Sequence, residues 1–152
     1  MVRKFAVFAL LVMFMMLGSS LAWAEGQPFT PEDLKGAKVV NDEWVKDNYK
    51  KMKVYDVRKK AEYAEGHIAG AVAAPYDEKS DKSTSFNPAQ DKFDLSMFPS
   101  DKNEPLIIYC NGPRCWKSYK AAFLLIKAGY KNVNWYRNDG FPAWKSKGNP
   151  VE

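Results

Sequence analysis

Cysteine and histidine are scarce in this sequence, and repetition is absent. The only cysteines, Cys110 and Cys115, fall within six residues of each other. A small exported domain that relies on disulfides spreads its cysteines to close long loops. This pair closes almost nothing, which argues against a disulfide framework and leaves local thiol chemistry or a local redox pair. No internal repeat or low-complexity tract occurs. With 46% hydrophobic and 27% charged residues, the chain has the composition of a folded protein. Sustained disorder is not expected, except at the N-terminus and in one polar stretch. A strong excess of one charge sign is also missing. Lys79, Lys82, Lys92 and Lys102 alternate with acids and read as a solvated surface. No nucleic-acid partner is expected from so mild a balance, which supports only a weak pull on small anions.

What is present begins with a leader. Arg3 and Lys4 precede a charge-free run from Phe5 to Leu17, Gly18-Ser19-Ser20 breaks it, and Ala22-Trp23-Ala24 has the small-x-small form of a cleavage site. Residues 1–24 are expected to be a secretory signal peptide. Phe5 to Ala24 is also just long enough for an uncleaved anchor, since a span needs about 20 residues. No cysteine stands near the cut, so a lipoprotein anchor is not supported. Cleavage takes the 152-residue chain to 128, and its 23 basic residues to 21 against 18 acidic, a net charge of +3. Residues 25–152 suffice for a single domain with one hydrophobic core. The mature protein is expected to be exported (periplasmic in a Gram-negative source), free of the membrane and monomeric.

Strand and helix patterns alternate along the rest. Thr30-Pro31-Glu32-Asp33 predicts a short helical turn capped by threonine. Lys38–Val40, Met52–Val57, Ile68–Ala74, Leu106–Tyr109 and Val133–Tyr136 predict strands. Helices are expected after Asn41 or Asp42 (with Trp44, Val45 and Tyr49), at Ala61–Glu65, at Trp116–Ala128 and at Phe141–Lys147. Asp77–Gln90 is polar and is expected to be the most mobile loop. Asp94–Phe98 predicts a helical turn with Leu95, Met97 and Phe98 facing inward. The order implies an α/β domain with a mostly parallel sheet. Leu106-Ile107-Ile108-Tyr109 is a continuous apolar run, as in a strand buried on both faces. Ligands of such sheets bind just beyond the carboxyl ends of the strands, and Cys110 sits there.

The loop after that strand reads Cys110-Asn111-Gly112-Pro113-Arg114-Cys115-Trp116-Lys117-Ser118. Backbone N–H groups of such a loop, and the N-terminus of the following helix, favour a thiolate at its head. Asn111 to Lys117 are the candidate substrate-binding residues. Arg114 and Lys117 are expected to draw an anion, while Gly112 and Pro113 shape a tight turn. Read alone, Cys110 fits equally well as a small buried hydrophobe ending a core strand.

Three further segments carry a resemblance. Tyr55-Asp56-Val57-Arg58, Glu62-Tyr63 and Gly66-His67-Ile68-Ala69-Gly70-Ala71 through Pro75 look like the N-terminal signature of the rhodanese family. Tyr109-Cys110 with Ser118 and Ala121-Ala122 resembles its active-site segment. Gly140, Trp144, Gly148 and Pro150-Val151 resemble its C-terminal signature. The likeness spans about Val39 to Val151. It implies a rhodanese-like three-layer α/β domain, with a five-stranded parallel sheet flanked by helices. It also implies a sulfurtransferase that carries sulfane sulfur as a persulfide on Cys110, from a small anionic donor such as thiosulfate to a nucleophilic acceptor. Backbone amides of Asn111 to Cys115 are expected to hold the negative charge. Asp56, Arg58 and His67 are expected to be structural, His67 because no carboxylate partner is evident. No metal or organic cofactor is called for.

The loop departs from the family pattern. Members carry Gly three residues after the cysteine and an Arg-Ser or Ser/Thr pair five and six after it; here Pro113, Cys115 and Trp116 stand there. The Ser-x-x-Ala helix start comes two residues late, at Ser118. Asp139-Gly140 replaces a common Gly-Gly. An enlarged loop is expected. Related domains with large loops hydrolyse phosphate esters, using an arginine six residues after the nucleophile; Trp116 at that position argues against a phosphatase or arsenate reductase. The other open alternatives are thiol redox chemistry, with Cys115 as partner of Cys110, or a sulfur carrier with little turnover.

Overall fold

The computed structural model describes residues 26–152; the expected signal peptide, residues 1–24, lies outside the described residues. Five strands form one parallel sheet: β1 (Ala37–Val40), β2 (Lys53–Asp56), β3 (Val72–Ala73), β4 (Leu106–Tyr109) and β5 (Val133–Tyr136). Their order is β1-β5-β4-β2-β3, so β4 is central. It pairs Lys53 with Leu106 and Asp56 with Tyr109 on one side, and Leu106 with Val133 on the other. Every residue of β4 and β5 is buried; β4 is the unbroken apolar run expected of a doubly covered strand, and β5 buries Asn134 among its apolar residues.

The pleat sorts side chains between two cores. Leu106, Ile108 and Cys110 face α3 (Trp116–Lys127), where Tyr119, Ala121, Ala122 and Leu125 pack on them. Ile107 and Tyr109 face the opposite core with Val45 of α1 (Asp42–Asn48) and Phe141 and Trp144 of α4 (Gly140–Ser146). A short α2 (Lys60–Glu65) follows β2. Helix α1 starts where the Asn41 side chain accepts the Trp44 N–H at 3.0 Å.

Four expectations change. Thr30–Asp33 forms no helix: Thr30 is buried, and its N–H and hydroxyl both donate to Pro113 O, at 2.8 and 2.9 Å. Strand β3 is two residues long, because Ile68 instead bridges antiparallel to Val151. Of the three side chains expected inward at Asp94–Phe98, Leu95 and Met97 are exposed and only Phe98 is buried.

The fourth concerns Asp77–Gln90, whose first part, Asp77 to Ser80, is anchored to the rest of the fold. Lys120, fully buried on α3, donates to Ser80 O at 3.1 Å and Ser80 Oγ at 2.9 Å, and pairs with Glu78 at 3.0 Å. Asp91 accepts from the Tyr76 hydroxyl, the Ser80 hydroxyl and the Lys79 and Ser80 amides. A lysine taken this far from water is tolerated only when partners surround it, and these partners fix the segment.

Candidate active site

Cys110 follows β4 directly, and its fully buried side chain faces the first turn of α3. Cys115 stands at the N-cap position of that helix. The two are joined by a disulfide, with Cα atoms 6.3 Å apart. Ser118 Oγ lies 3.0 Å from Cys110 Sγ and accepts the indole N–H of Trp135 at 3.0 Å. That contact occupies an acceptor position of the hydroxyl and leaves its single proton to the Cys110 sulfur and, at 3.5 Å, Cys115 O. A disulfide sulfur has no proton of its own, so Ser118 is the donor here.

Backbone packing fixes the loop from behind. The Phe141 N–H donates to Cys110 O at 3.0 Å. Gly140 has φ +69°, and a Cβ there would overlap the Gly112 nitrogen and sit 2.7 Å from the Asn111 carbonyl carbon. Glycine is required at Gly140 for both conformation and space.

A cavity of about 730 Å³ opens beside the loop. Asn111, Arg114, Cys115, Trp116 and Lys117 line it, together with Lys59, Lys60 and Lys82, whereas Cys110 does not. Lys82 therefore borders the cavity rather than a plain solvated face. The acids on this wall are Asp77 and Glu78, and Glu78 is paired with Lys120. Burial pulls the Lys117 amine below the ordinary lysine range, against the opposing charge of Glu62. Burial also works against the Glu62 charge. The Asn111 amide at 2.6 Å, the Lys59 N–H, and the Arg58 and Lys117 charges outweigh it and hold this carboxyl below its usual range.

Other loop residues go elsewhere than expected. Gly112 packs on the Asp139 and Gly140 backbone, and Pro113 O receives Thr30. Arg114 donates to Gln27 O at 2.5 Å and stacks on Phe29 at 3.9 Å, so its guanidinium holds the N-terminal segment. Trp116 Nε1 donates to Pro28 O at 2.9 Å. Residues 27–30 thus strap the outer rim of the loop, secured further by Arg137, which donates to Thr30 O at 2.6 Å. The expected row of anion-holding amides is also incomplete: Pro113 has no N–H, and the Cys115 N–H donates to Gly112 O at 2.9 Å.

The structural residues lie behind the site. Asp56 and Arg58 are both buried and paired at 2.5 Å. Arg58 also donates to Gly66 O at 2.7 Å and stacks on Phe141 at 3.9 Å. The Tyr109 hydroxyl donates to Asp56 at 2.7 Å; burial, then the Asp56 charge, push this phenol well above its ordinary range. His67 stacks on Tyr63 at 3.7 Å, and it does have a carboxylate near: Glu152 lies 3.9 Å from Nε2. Both belong to the pairing that joins residues 67–69 to the C-terminus.

Sequence reasoning did not assign Ser118, Trp135, Gln27, Thr30, Lys59, Lys60 or Lys82 to the site. Ser118 had a signal, three residues after Cys115 and so in the first helical turn; the others had none. Among the described residues, no group of three or more His, Cys, Asp or Glu is arranged to hold a metal ion.

A parallel α/β sheet with a cysteine loop at the carboxyl end of its central strand is the arrangement expected of a rhodanese-like domain. The pattern of the rhodanese-like domain matches residues 41–147, and the chain belongs to that family. Its fold is the sulfurtransferase-family fold. No curated protein matches the chain. The Alr3790 protein of Anabaena sp. is 26% identical over 74% of this chain and 81% of its own, with a TM-score of 0.54. The BH2092 protein of Bacillus halodurans is 24% identical over 78% of each chain, with a TM-score of 0.55. RPA3614 of Rhodopseudomonas palustris, described as a possible tyrosine phosphatase, is 21% identical over 84% of this chain and 100% of its own (TM-score 0.54). At 24% and 21% identity, the last two share the fold.

Proposed function

We propose that the reduced protein is a sulfurtransferase. The Cys110 thiolate attacks the outer sulfur of a small anionic sulfane donor such as thiosulfate, whose S–S bond breaks as sulfite leaves with the electron pair. The sulfur is held as a persulfide on Cys110 and passes to a thiol or cyanide-type acceptor, which restores the thiolate. The observation that carries this reading is the setting of Cys110: a strand-end cysteine against the first turn of α3, with the Ser118 hydroxyl at 3.0 Å. A helix N-terminus and a hydroxyl donor both favour negative charge on sulfur. Lys117, Lys59, Lys60 and Lys82 around the cavity suit an anionic donor. Arg114 gives one N–H to Gln27 O and its face to Phe29, and it borders the same cavity with its remaining N–H groups free for a donor anion.

Phosphate-ester hydrolysis is not favoured. The residue six positions after Cys110 is Trp116, whose indole N–H is given to Pro28 O rather than to an anion. A thiol redox role has its own support in the Cys110–Cys115 disulfide, which also suits an exported, oxidising setting. Export and release from the membrane are proposed from the leader pattern, the absence of a nucleic-acid partner from the mild charge balance, and a monomeric state from the single-domain reading.

The test is turnover. Reduced protein supplied with thiosulfate and cyanide is expected to produce thiocyanate, and Cys110→Ser protein to produce none. Absence of thiocyanate from reduced wild type with cyanide, together with absence of sulfide when a small thiol replaces cyanide as acceptor, would remove thiosulfate as donor.

A further inference from the structure

The two halves of the disulfide are not equivalent. Cys110 is fully buried and touches Ser118, whereas Cys115 is half-buried and lines the lysine-rimmed cavity. A nucleophile arriving through the cavity meets Cys115. Exchange also depends on the leaving sulfur, which departs more readily the better its negative charge is held. Both cysteines lie at the first turn of the 12-residue helix α3, but Cys110 alone has a hydroxyl, Ser118, beside its sulfur, whereas the Cys115 side chain makes no capping hydrogen bond. Steric access and leaving-group stability therefore point in the same direction.

We infer that the oxidised site is itself reactive toward small anionic thiols, with Cys115 as the sulfur attacked and Cys110 as the leaving thiolate. This rests on the reading of Cys110 as the thiol whose negative charge the site favours. In the first step the incoming thiolate forms a bond to Cys115 Sγ, the Cys110–Cys115 bond breaks, and its electron pair leaves on Cys110. In the second, another thiolate attacks the sulfur of the bound thiol, forming a small-molecule disulfide and freeing Cys115 as a thiolate. Two thiols lose two electrons in total, and the protein disulfide gains them. The charge of the substrate follows from the rim, where Lys59, Lys60, Lys82 and Lys117 face the acids Asp77 and Glu78, the latter already paired with Lys120. The product is the reduced pair that sulfur transfer needs, so the exchange would act as the enabling step of the proposed activity.

The sequence makes the direction of attack measurable. Trypsin cuts after Arg114 and puts Cys110 and Cys115 on separate peptides. Oxidised protein is exposed briefly to 2-mercaptoethanesulfonate, quenched in acid, capped with N-ethylmaleimide and digested. The sulfonate adduct is expected on Cys115 and the maleimide on Cys110, in about ten-fold excess over the reverse pattern or more. An adduct on Cys110, or an even split, overturns the inference. A second arm compares neutral 2-mercaptoethanol under the same conditions. The anionic thiol is expected to react about ten-fold faster at low salt, with the advantage shrinking in Lys117→Gln protein or at high salt. Equal rates for the two thiols, corrected for their thiolate fractions, overturn the anionic class. Both arms use oxidised protein, so their failure is separate from a failure of reduced protein to accept sulfur.

Discussion

Arg58 and Lys120 are both buried cations, one on each face of the sheet, and they are held in opposite ways. Arg58 finds its carboxylate two residues away in Asp56, then adds Gly66 O and the Phe141 ring. Lys120 has its partners, Ser80 and Glu78, some 40 residues earlier in the chain. The first arrangement is a local knot that stiffens one turn behind the loop. The second is a tie between the helix that starts at the cysteine loop and a segment that walls the cavity. A short-range pair shapes its own neighbourhood, while a long-range pair decides where a distant segment goes.

That contrast can be broken experimentally. Lys120→Ala leaves Glu78, and Asp91 at 3.9 Å from the amine, without their cation, and is expected to cost about 3–5 kcal/mol in thermal or denaturant unfolding. Lys120→Met restores most of the packing but not the charge. A loss as large as for alanine assigns the effect to the ion pair, and recovery assigns it to packing. Asp56→Asn is expected to cost less, since Arg58 keeps Gly66 O and Phe141. A larger loss for Asp56→Asn than for Lys120→Ala would reverse the comparison.

Gly140→Ala acts on the loop itself. The new Cβ collides with backbone at Asn111 and Gly112, and the residue is forced to keep a positive φ. The expected result is a loss of about 2 kcal/mol or more, with the cysteine loop displaced. Wild-type stability together with unchanged thiol reactivity would show that the loop is not braced there.

Lys117 is expected to give the smallest effect, read in pH. Burial depresses its amine below the ordinary 10.5. The folded protein therefore releases this proton before the unfolded chain does. Across that window stability rises with pH, while attraction for an anionic donor fades. The donor KM is expected to climb on the alkaline side, and Lys117→Arg, which keeps its charge, is expected to flatten the climb. Identical profiles would remove Lys117 from donor binding.

The same distinction between short and long range explains what could be read from the sequence. Leu106-Ile107-Ile108-Tyr109 announces a doubly buried strand, Trp116–Lys127 carries helical spacing, and the end of a central parallel strand is where a ligand-facing loop must lie. All of this is local. Thr30-Pro31 has the local form of a helix start, yet it is overridden by hydrogen bonds to Pro113 and Arg137. Arg114 reads locally as an anion ligand, but its partner, Gln27 O, is 87 residues away. The third strand is cut short because the chain end supplies Val151 to pair with Ile68. Asp77–Gln90 reads as mobile because its polar side chains are individually unremarkable and their common anchor, Lys120, belongs to another element. At the site itself, Cys110 was legible from its place in the sheet. The Ser118–Trp135 contact beneath it was not, because Trp135 arrives from a neighbouring strand.

The central claim, that Cys110 is the sulfur-accepting atom of this site, is tested most directly by intact mass on single-cysteine proteins. Cys115→Ser protein, reduced, exposed to thiosulfate and freed of excess donor, is expected to gain about 32 Da, one sulfur atom, and to lose it on treatment with a thiol. Cys110→Ser protein treated in the same way is expected to gain nothing. A stable, thiol-reversible gain in the Cys110→Ser protein, or none in the Cys115→Ser protein, would contradict the account.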